Sequence, residues 1–297
     1  MSSAVSPSTN RRYGVWVVTQ EWGVPRSTFY AAKLRKEHPR SLKKRGPRTV
    51  WPDDLLTDAI RRVLEGSPFT GEGHRKVWAR LRSKGIRTSK ARVLRLMREN
   101  RLLAPSRGPR SRGPRNHDGT IRTSAPDRMW GTDATGTFTR KDGAVTVFIA
   151  VDHCTSEAIG IHAARSGNRF EALEPIRQGI RKHYGAFHEK IAQGLSLRHD
   201  HGSPYMSHDF QKELRFLGVE SSPSFVRAPE GNGVSERFIR TLKEQLLWVT
   251  TFDTVEDLGR ALHHWIDLYN ENWMVERHGF RSPSQVRRDF QSREIVA

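Results

Sequence analysis

The charge of this chain is confined to one end, and that limits what each end can fold into. Residues 1–126 carry 29 Lys and Arg against 9 Asp and Glu, whereas residues 127–297 carry 22 against 23. The formal net charge of +19 therefore belongs wholly to the first part. A block this basic suits small helical units laid on a polyanion, held there by counterion release and weakened steeply by salt. The near-neutral remainder is where a core large enough for chemistry is expected, and 297 residues leave room for both.

A membrane surface is the competing partner for basic stretches, but no apolar run approaches the roughly 18 residues that a span requires. The longest, Ala144 to Val151, has the length of a strand. The start, Met1-Ser-Ser-Ala-Val-Ser-Pro-Ser-Thr-Asn10, lacks the charged-then-apolar pattern of an export signal, which argues for a cytoplasmic protein. Cys154 is the one cysteine, so no internal disulfide is expected.

Short helices are expected over Tyr13 to Glu21 and Ser27 to Glu37, parted by Gly23-Val-Pro25. This helix-turn-helix outline (domain 1–37) would offer Arg26 and its neighbours to a DNA groove. His38 to Thr49 reads as a polar, basic linker. A second helical module, 50–103, is expected to hold Pro52 to Leu64, Gly73 to Arg82 and Lys90 to Arg98, with Thr88 or Ser89 as N-cap of the last. There Val93, Leu96 and Met97 would point inward, while Arg92, Arg95 and Arg98 recur every three residues and suit phosphates or bases. The competing reading is a soluble bundle with a solvated basic face. Pro105 to Arg115 nearly repeats Ser-Arg-Gly-Pro-Arg and cannot bury a core, so 104–126 reads as a flexible basic linker.

From Asp127 the expected order is three antiparallel strands, with a Lys141-Asp-Gly143 turn, then helix 170–184, a strand ending near Leu197, helix 208–217, a short strand 219–222, and a helix containing Glu236. That is an α/β core over 127–250, a mixed sheet covered by helices, followed by a helical tail over 251–297. The first and fourth strands are expected side by side. Three acids would then converge: Asp133 in Met129-Trp-Gly-Thr-Asp-Ala-Thr135, Asp200 in Leu195-Ser-Leu-Arg-His-Asp-His-Gly202, and Glu236 in Gly231-Asn-Gly-Val-Ser-Glu-Arg237. Three gathered carboxylates can hold two divalent cations about 3.5–4 Å apart, the arrangement that activates an attacking oxygen and stabilises a leaving one at phosphorus. Spacing alone is weak support among 32 acids; the strand, strand and helix contexts carry the weight. On the last helix, Val234, Phe238, Leu242, Leu246 and Val249 are spaced for the core, and Glu236, Arg240 and Lys243 for another face. That face suits a metal and a phosphate backbone, or is an ordinary i,i+4 charge pair.

These residues resemble the second open reading frame product of IS3-type insertion sequences, a retroviral-integrase-like DDE transposase. Asp133 and Asp200 stand in matching surroundings, and thirty-five residues separate Asp200 from Glu236 within Pro229-Glu-Gly-Asn-Gly-Val-Ser-Glu-Arg-Phe-Ile-Arg-Thr-Leu-Lys-Glu244. Gly23 to Tyr30, Gly73 to Trp78, Tyr269-Asn270 and Gly279 to Pro283 extend the likeness over nearly the whole chain. The resemblance implies an RNase H-like five-stranded mixed sheet preceded by all-α helix-turn-helix modules. It implies catalysis and Mg²⁺ ligation by Asp133, Asp200 and Glu236, with two ions per site and Mn²⁺ as a substitute. It also implies cleavage and strand transfer at terminal inverted repeats, synapsis by a homo-oligomer, and a partner protein from an upstream frame. One departure lies in the tail, where many relatives place an Arg and a His but Trp273 and Val275 stand here.

Other candidates weigh less. His199 and His201 flank Asp200 on a strand and should face away from it; Mg²⁺ also favours oxygen ligands. Asp152 reads as a turn cap rather than a rival to Asp133. Cys154 beside His153 reads as a buried thiol, Tyr205 lacks the basic cluster of a covalent recombinase, and Trp265, Leu268 and Tyr269 read as core. A nuclease sharing the core, or a regulator that binds without chemistry, are the alternative classes.

Overall fold

The computed structural model describes residues 3–37, 50–105, 121, 123–224 and 229–296. The expected linker at 38–49, and residues 106–120 and 122 of the one expected at 104–126, lie outside the described residues. The chain divides into two units, Met1–Pro52 and Asp53–Ala297. The first holds helices α1 (Val15–Glu21) and α2 (Arg26–Glu37), joined through Gly23 at φ +61°, a left-handed turn that favours glycine. Its described residues bury only Ser6 and Thr19, and α2 buries nothing.

The second unit begins with α3 (Asp53–Glu65), α4 (His74–Ser83) and α5 (Lys90–Glu99). Asp53 and Asp54 put negative charge on the first turn of α3, and the Ser89 side chain caps α5 by accepting from the Arg92 amide. Leu56, Ile60, Val77, Leu81, Val93 and Met97 are buried among the three helices. The division between units falls at Pro52, not inside the expected linker 104–126: this helical module is part of the same compact body as the sheet and tail.

The sheet contains β1 (Met129–Thr139), β2 (Gly143–Asp152), β3 (Ala158–Ala164), β4 (Ser196–His199) and β5 (Glu220–Pro223). Their order is β3-β2-β1-β4-β5, with β1, β2 and β3 antiparallel and β4 and β5 parallel to β1. This is the mixed five-stranded sheet expected, with the first and fourth strands adjacent. Helices α6 (Arg169–Tyr184), α7 (Ser203–Met206) and α8 (His208–Leu217) belong to one side, where Trp130, Ile176, Phe210 and Leu214 are buried together. On the other side α9 (Gly233–Leu242) and α10 (Val255–Asn272) bury Val234, Phe238, Leu262 and Trp265 against Val147 and Ile149. Each such side chain removed from water contributes about 1.5–3 kcal/mol.

Edge strand β3 is closed by side chains. Gln178 of α6 accepts from the Ile161 amide at 3.0 Å and donates to its carbonyl at 3.1 Å; Asn270 of α10 does the same for Ala158 at 2.8 and 2.9 Å. Satisfied in this way, these groups no longer offer an open edge. The tail is equally integral. In α11 (Pro283–Val296), buried Arg287 ion-pairs with Asp127 and Glu157, and Arg277 donates to the carbonyls of His153 and Cys154 and to the Ser156 hydroxyl.

One expected stripe breaks. A π-helical turn, Lys243–Leu247, follows α9 and changes the helical phase, so Leu246 is half-buried and Val249 is 64% exposed instead of facing the core.

Candidate active site

The β1–β4 pairing sets two of the acids level. Gly131 faces Arg198 across the parallel pair; two residues further along each chain stand Asp133 and Asp200. β4 stops at His199, and the Asp200 carboxylate accepts the Gly202 amide at 2.8 Å, folding the chain away from β1. Asp200 thus lies just beyond the carboxyl end of β4, while Asp133 lies on β1 beside it.

Glu236 arrives on the first turn of α9, and that turn is pinned to β1. The Asn232 side-chain Nδ2 donates to the Thr132 carbonyl at 2.9 Å. Beside it, Gly131 is required by close approach: a β-carbon there would lie 2.5 Å from Ser235 Oγ, 2.6 Å from Asn232 Oδ1 and 2.7 Å from His153 Nε2. Ser235 is fully buried, so its successor Glu236 turns out to the exposed side. Sequence reasoning missed Gly131, His153, Asn232 and Ser235. The signal for Asn232 was its position four residues before Glu236, on the same helical face.

The three carboxylates share one electrostatic neighbourhood. Asp133 is half-buried, accepts the Ala134 amide at 2.8 Å, and is pushed up to about 6. Burial is the largest cause; the Asp200 and Glu236 carboxylates add to it, and the Ala134 amide and the Lys243 ammonium oppose it. Asp200 and Glu236 are exposed. Among the described residues, no three acidic, histidine or cysteine side chains are already closed around a point that could hold a metal. An all-carboxylate donor set fits a hard cation such as Mg²⁺.

The weaker candidates have other occupations. His199 is buried, with Nδ1 2.6 Å from the Asp200 carbonyl and Nε2 2.9 Å from Ser221 Oγ, so both ring nitrogens are engaged. Asp152 accepts from the Thr155 amide and hydroxyl at 2.7 and 2.9 Å and from the Asp127 amide at 2.9 Å, and burial pushes it up to about 6; it is a turn cap. Burial pushes the Cys154 thiol up to about 11, away from the thiolate a nucleophile needs. Tyr205 is 2% exposed and burial drives its ionisation far above the usual range.

The basic residues divide as well. Arg92 and Arg95 close on Asp53 at 2.5 and 2.7 Å, and Arg95 also reaches Glu99; the two guanidiniums pull the Asp53 carboxyl down to about 2. They are not the open stripe that their spacing suggests, because the acid on the first turn of α3 lies opposite them. Arg98 and Arg26 are exposed, Arg240 and Lys243 half-buried on the Glu236 side.

Several known proteins are similar to this chain. The HTH-like domain family matches residues 51–110 and the integrase core domain family residues 217–288. The Escherichia coli transposase InsD for insertion element IS2A/D/F/H/I/K is 27% identical over 288 residues, 94% of this chain and 92% of that protein. Among solved structures, the simian T-cell lymphotropic virus intasome in complex with PP2A regulatory subunit B56 gamma aligns with TM-score 0.46 and 20% identity over 71% of this chain and 70% of that one. The catalytic core domain of BIV integrase aligns with TM-score 0.42 and 18% identity over 57% of this chain and 99% of that one.

Proposed function

We propose that the chain is a DNA transposase with an integrase core, since it is similar along nearly its whole length to the InsD transposase of IS2 elements, and that it binds the terminal inverted repeats of its own insertion sequence and carries out cleavage and strand transfer there. The observation that carries this reading is the shared electrostatics of Asp133, Asp200 and Glu236, three acids remote in sequence at the open end of one sheet.

Asp133, Asp200 and Glu236 are the catalytic residues and would hold Mg²⁺, two ions per site, with Mn²⁺ as a substitute. Bound there, the ions supply an activated oxygen nucleophile and stabilise the leaving oxygen. Asp133 and Asp200 would each help to hold both ions, and Glu236 would complete the holding of one. Because burial pushes the Asp133 carboxyl up to about 6, protons would compete with metal for it below about that pH. Lys243, close enough to act on Asp133, and Arg240 lie on the side where a phosphate backbone would approach, so they hold DNA against the acids. Arg98 and Arg26 contribute phosphate contacts from the helical segments; Arg92 and Arg95 would do so only by releasing Asp53. Water at the first step, and the freed 3′-hydroxyl at the second, needs no covalent link to the protein.

Joining two ends requires two copies at least, so a homo-oligomer forms at synapsis, with an upstream-frame protein as a further partner. No helix among the described residues is long and apolar enough to cross a membrane. The protein works in the bacterial cytoplasm, on the nucleoid when bound to DNA.

The test uses labelled duplexes carrying the element's ends, with Mg²⁺. Joined products are expected from the wild-type chain. Glu236→Gln should abolish joining and keep DNA binding; joining at the wild-type rate in that variant removes the assignment. Cleavage without joining indicates a nuclease, and binding without either a regulator.

A further inference from the structure

An unbroken file of aromatic rings runs from the helical module to the helix that carries Glu236. Phe69, in the loop between α3 and α4, is 3% exposed and buried in the same cluster as Val234, Phe238 and Leu242. Its ring meets Trp273 edge-on at 4.9 Å between centroids; Trp273 stacks on Tyr269 at 5.9 Å; Tyr269 meets Phe238 edge-on at 4.9 Å. Phe238 lies two residues after Glu236. At roughly 100° per residue the two side chains leave α9 on opposite faces, Phe238 inward and Glu236 outward. Whatever presses on Phe238 therefore sets where Glu236 stands.

A second line of contacts runs alongside. The Thr70 amide donates to Gln245 Oε1 at 2.9 Å, and Gln245 Nε2 donates to the Thr70 carbonyl at 3.0 Å. Gln245 belongs to the π-helical turn that closes α9. Arg75 grips Glu276 with both carboxylate oxygens at 2.9 and 3.1 Å, and the Lys76 ammonium sits over the Trp273 ring, 2.8 Å from its centroid. The Phe69 loop cannot yield independently of its helices, because buried Glu72 holds Arg80 at 2.6 and 2.9 Å and Ser67 at 3.1 Å. Trp273 is the ring between module and core.

We propose that Phe69 and Trp273 are positioning residues through which the helical module holds α9, so that DNA binding by the module and placement of Glu236 are one coupled event. The functional meaning rests on Glu236 being a catalytic acid; the coupling itself does not. A module shifted by DNA moves Phe69 against Trp273, and the dense interior passes the shift to Phe238 instead of absorbing it. Both ends bias one discrete element, α9, which is what a coupling claim requires.

The experiment is hydrogen exchange of the α9 amides, 233–242, in the full chain with and without a mixed-sequence DNA duplex. In the wild-type protein the duplex should change α9 exchange by at least about fivefold, the lower end of common coupling strengths. Phe69→Ala should bind the duplex within about twofold of wild type, a shift at the level of ordinary binding error, yet lose the α9 response; Phe69→Leu should restore most of it. In strand transfer the same Ala variant should lower kcat and leave the KM for DNA unchanged. Should Phe69→Ala fail to fold, Gln245→Ala and Trp273→Phe carry the same readouts. An α9 response that is absent in wild type, or intact in the variants, overturns the proposal. Exchange needs no chemistry, so normal joining by Glu236→Gln would remove the triad assignment while leaving the coupling result standing.

Discussion

Two stretches of this chain have the outline of small basic DNA-binding helices, and they differ in what they bury. Helices α3, α4 and α5 enclose Leu56, Ile60, Val77, Leu81, Val93 and Met97, whereas α1 and α2 leave Trp16, Trp22, Tyr30 and Leu34 between 50% and 63% exposed. A helix-turn-helix pattern sets the turn; only apolar residues in phase on every helix make a unit that stands alone. The basic residues differ too. Those of α5 are partly spent on Asp53, while Arg26, on α2, is exposed.

That contrast can be broken by substitution. Ile60→Ala should cost about 2–5 kcal/mol of unfolding free energy in urea, through lost burial and the cavity left behind. A loss below about 1 kcal/mol would mean the module is loosely packed.

The acidic cleft should behave in the opposite sense to the packed module. Asp133→Asn should raise stability by roughly 1–3 kcal/mol at pH 7, since each pKa unit is worth about 1.4 kcal/mol. The sign follows from its pKa of about 6 against the ordinary 3.8: the folded state holds a proton that the unfolded chain has released between those values. Stability from this group is thus greatest below about pH 4 and falls until about pH 6. Urea melts at pH 3.5, 5 and 7 should show the variant's gain only at the higher values. Mg²⁺ should raise the wild-type melting temperature and leave the variant's unchanged.

Asp53→Asn should be milder, at most about 1 kcal/mol, because the carboxylate is over a third exposed and solvent screens its ion pairs. Here the folded pKa is depressed to about 2, so the stabilisation is present above about pH 4 and disappears as pH falls through 2. The variant should match wild type in acid and lose to it at neutrality. Smallest of all, Trp16→Ala or Leu34→Ala in the first unit should leave the main melt within about 0.5 kcal/mol. A larger loss would show that their apolar surface is covered in solution.

Much of this was legible because it is local. The apolar run Ala144 to Val151 and the Lys141-Asp-Gly143 turn marked the β1–β2 hairpin, and of the two expected caps, Thr88 and Ser89, it is Ser89 that caps its helix. The adjacency of β1 and β4 followed from the order of elements, and it sets Asp133 and Asp200 level on neighbouring strands. What escaped depends on distant partners. Nothing within Arg92-Val-Leu-Arg95 announces an aspartate thirty-nine residues earlier. The aromatic file needs Phe69, Phe238, Tyr269 and Trp273 from three separate segments, and a tail with a polar surface gave no sign that Asn270 closes a strand edge. The phase change after Leu242 displaced Val249 because a π-helical turn leaves no mark in apolar spacing.

The central claim is that side chains 133, 200 and 236 close on divalent metal when DNA is bound. A crystal structure of the protein on an element-end duplex with Mn²⁺, read by anomalous diffraction, tests it most directly. The account predicts metal peaks within about 2.3 Å of carboxylate oxygens from all three residues, the reach of inner-shell oxygen ligands. Peaks at Asp152, or a metal-loaded site from which Glu236 is absent, would contradict it.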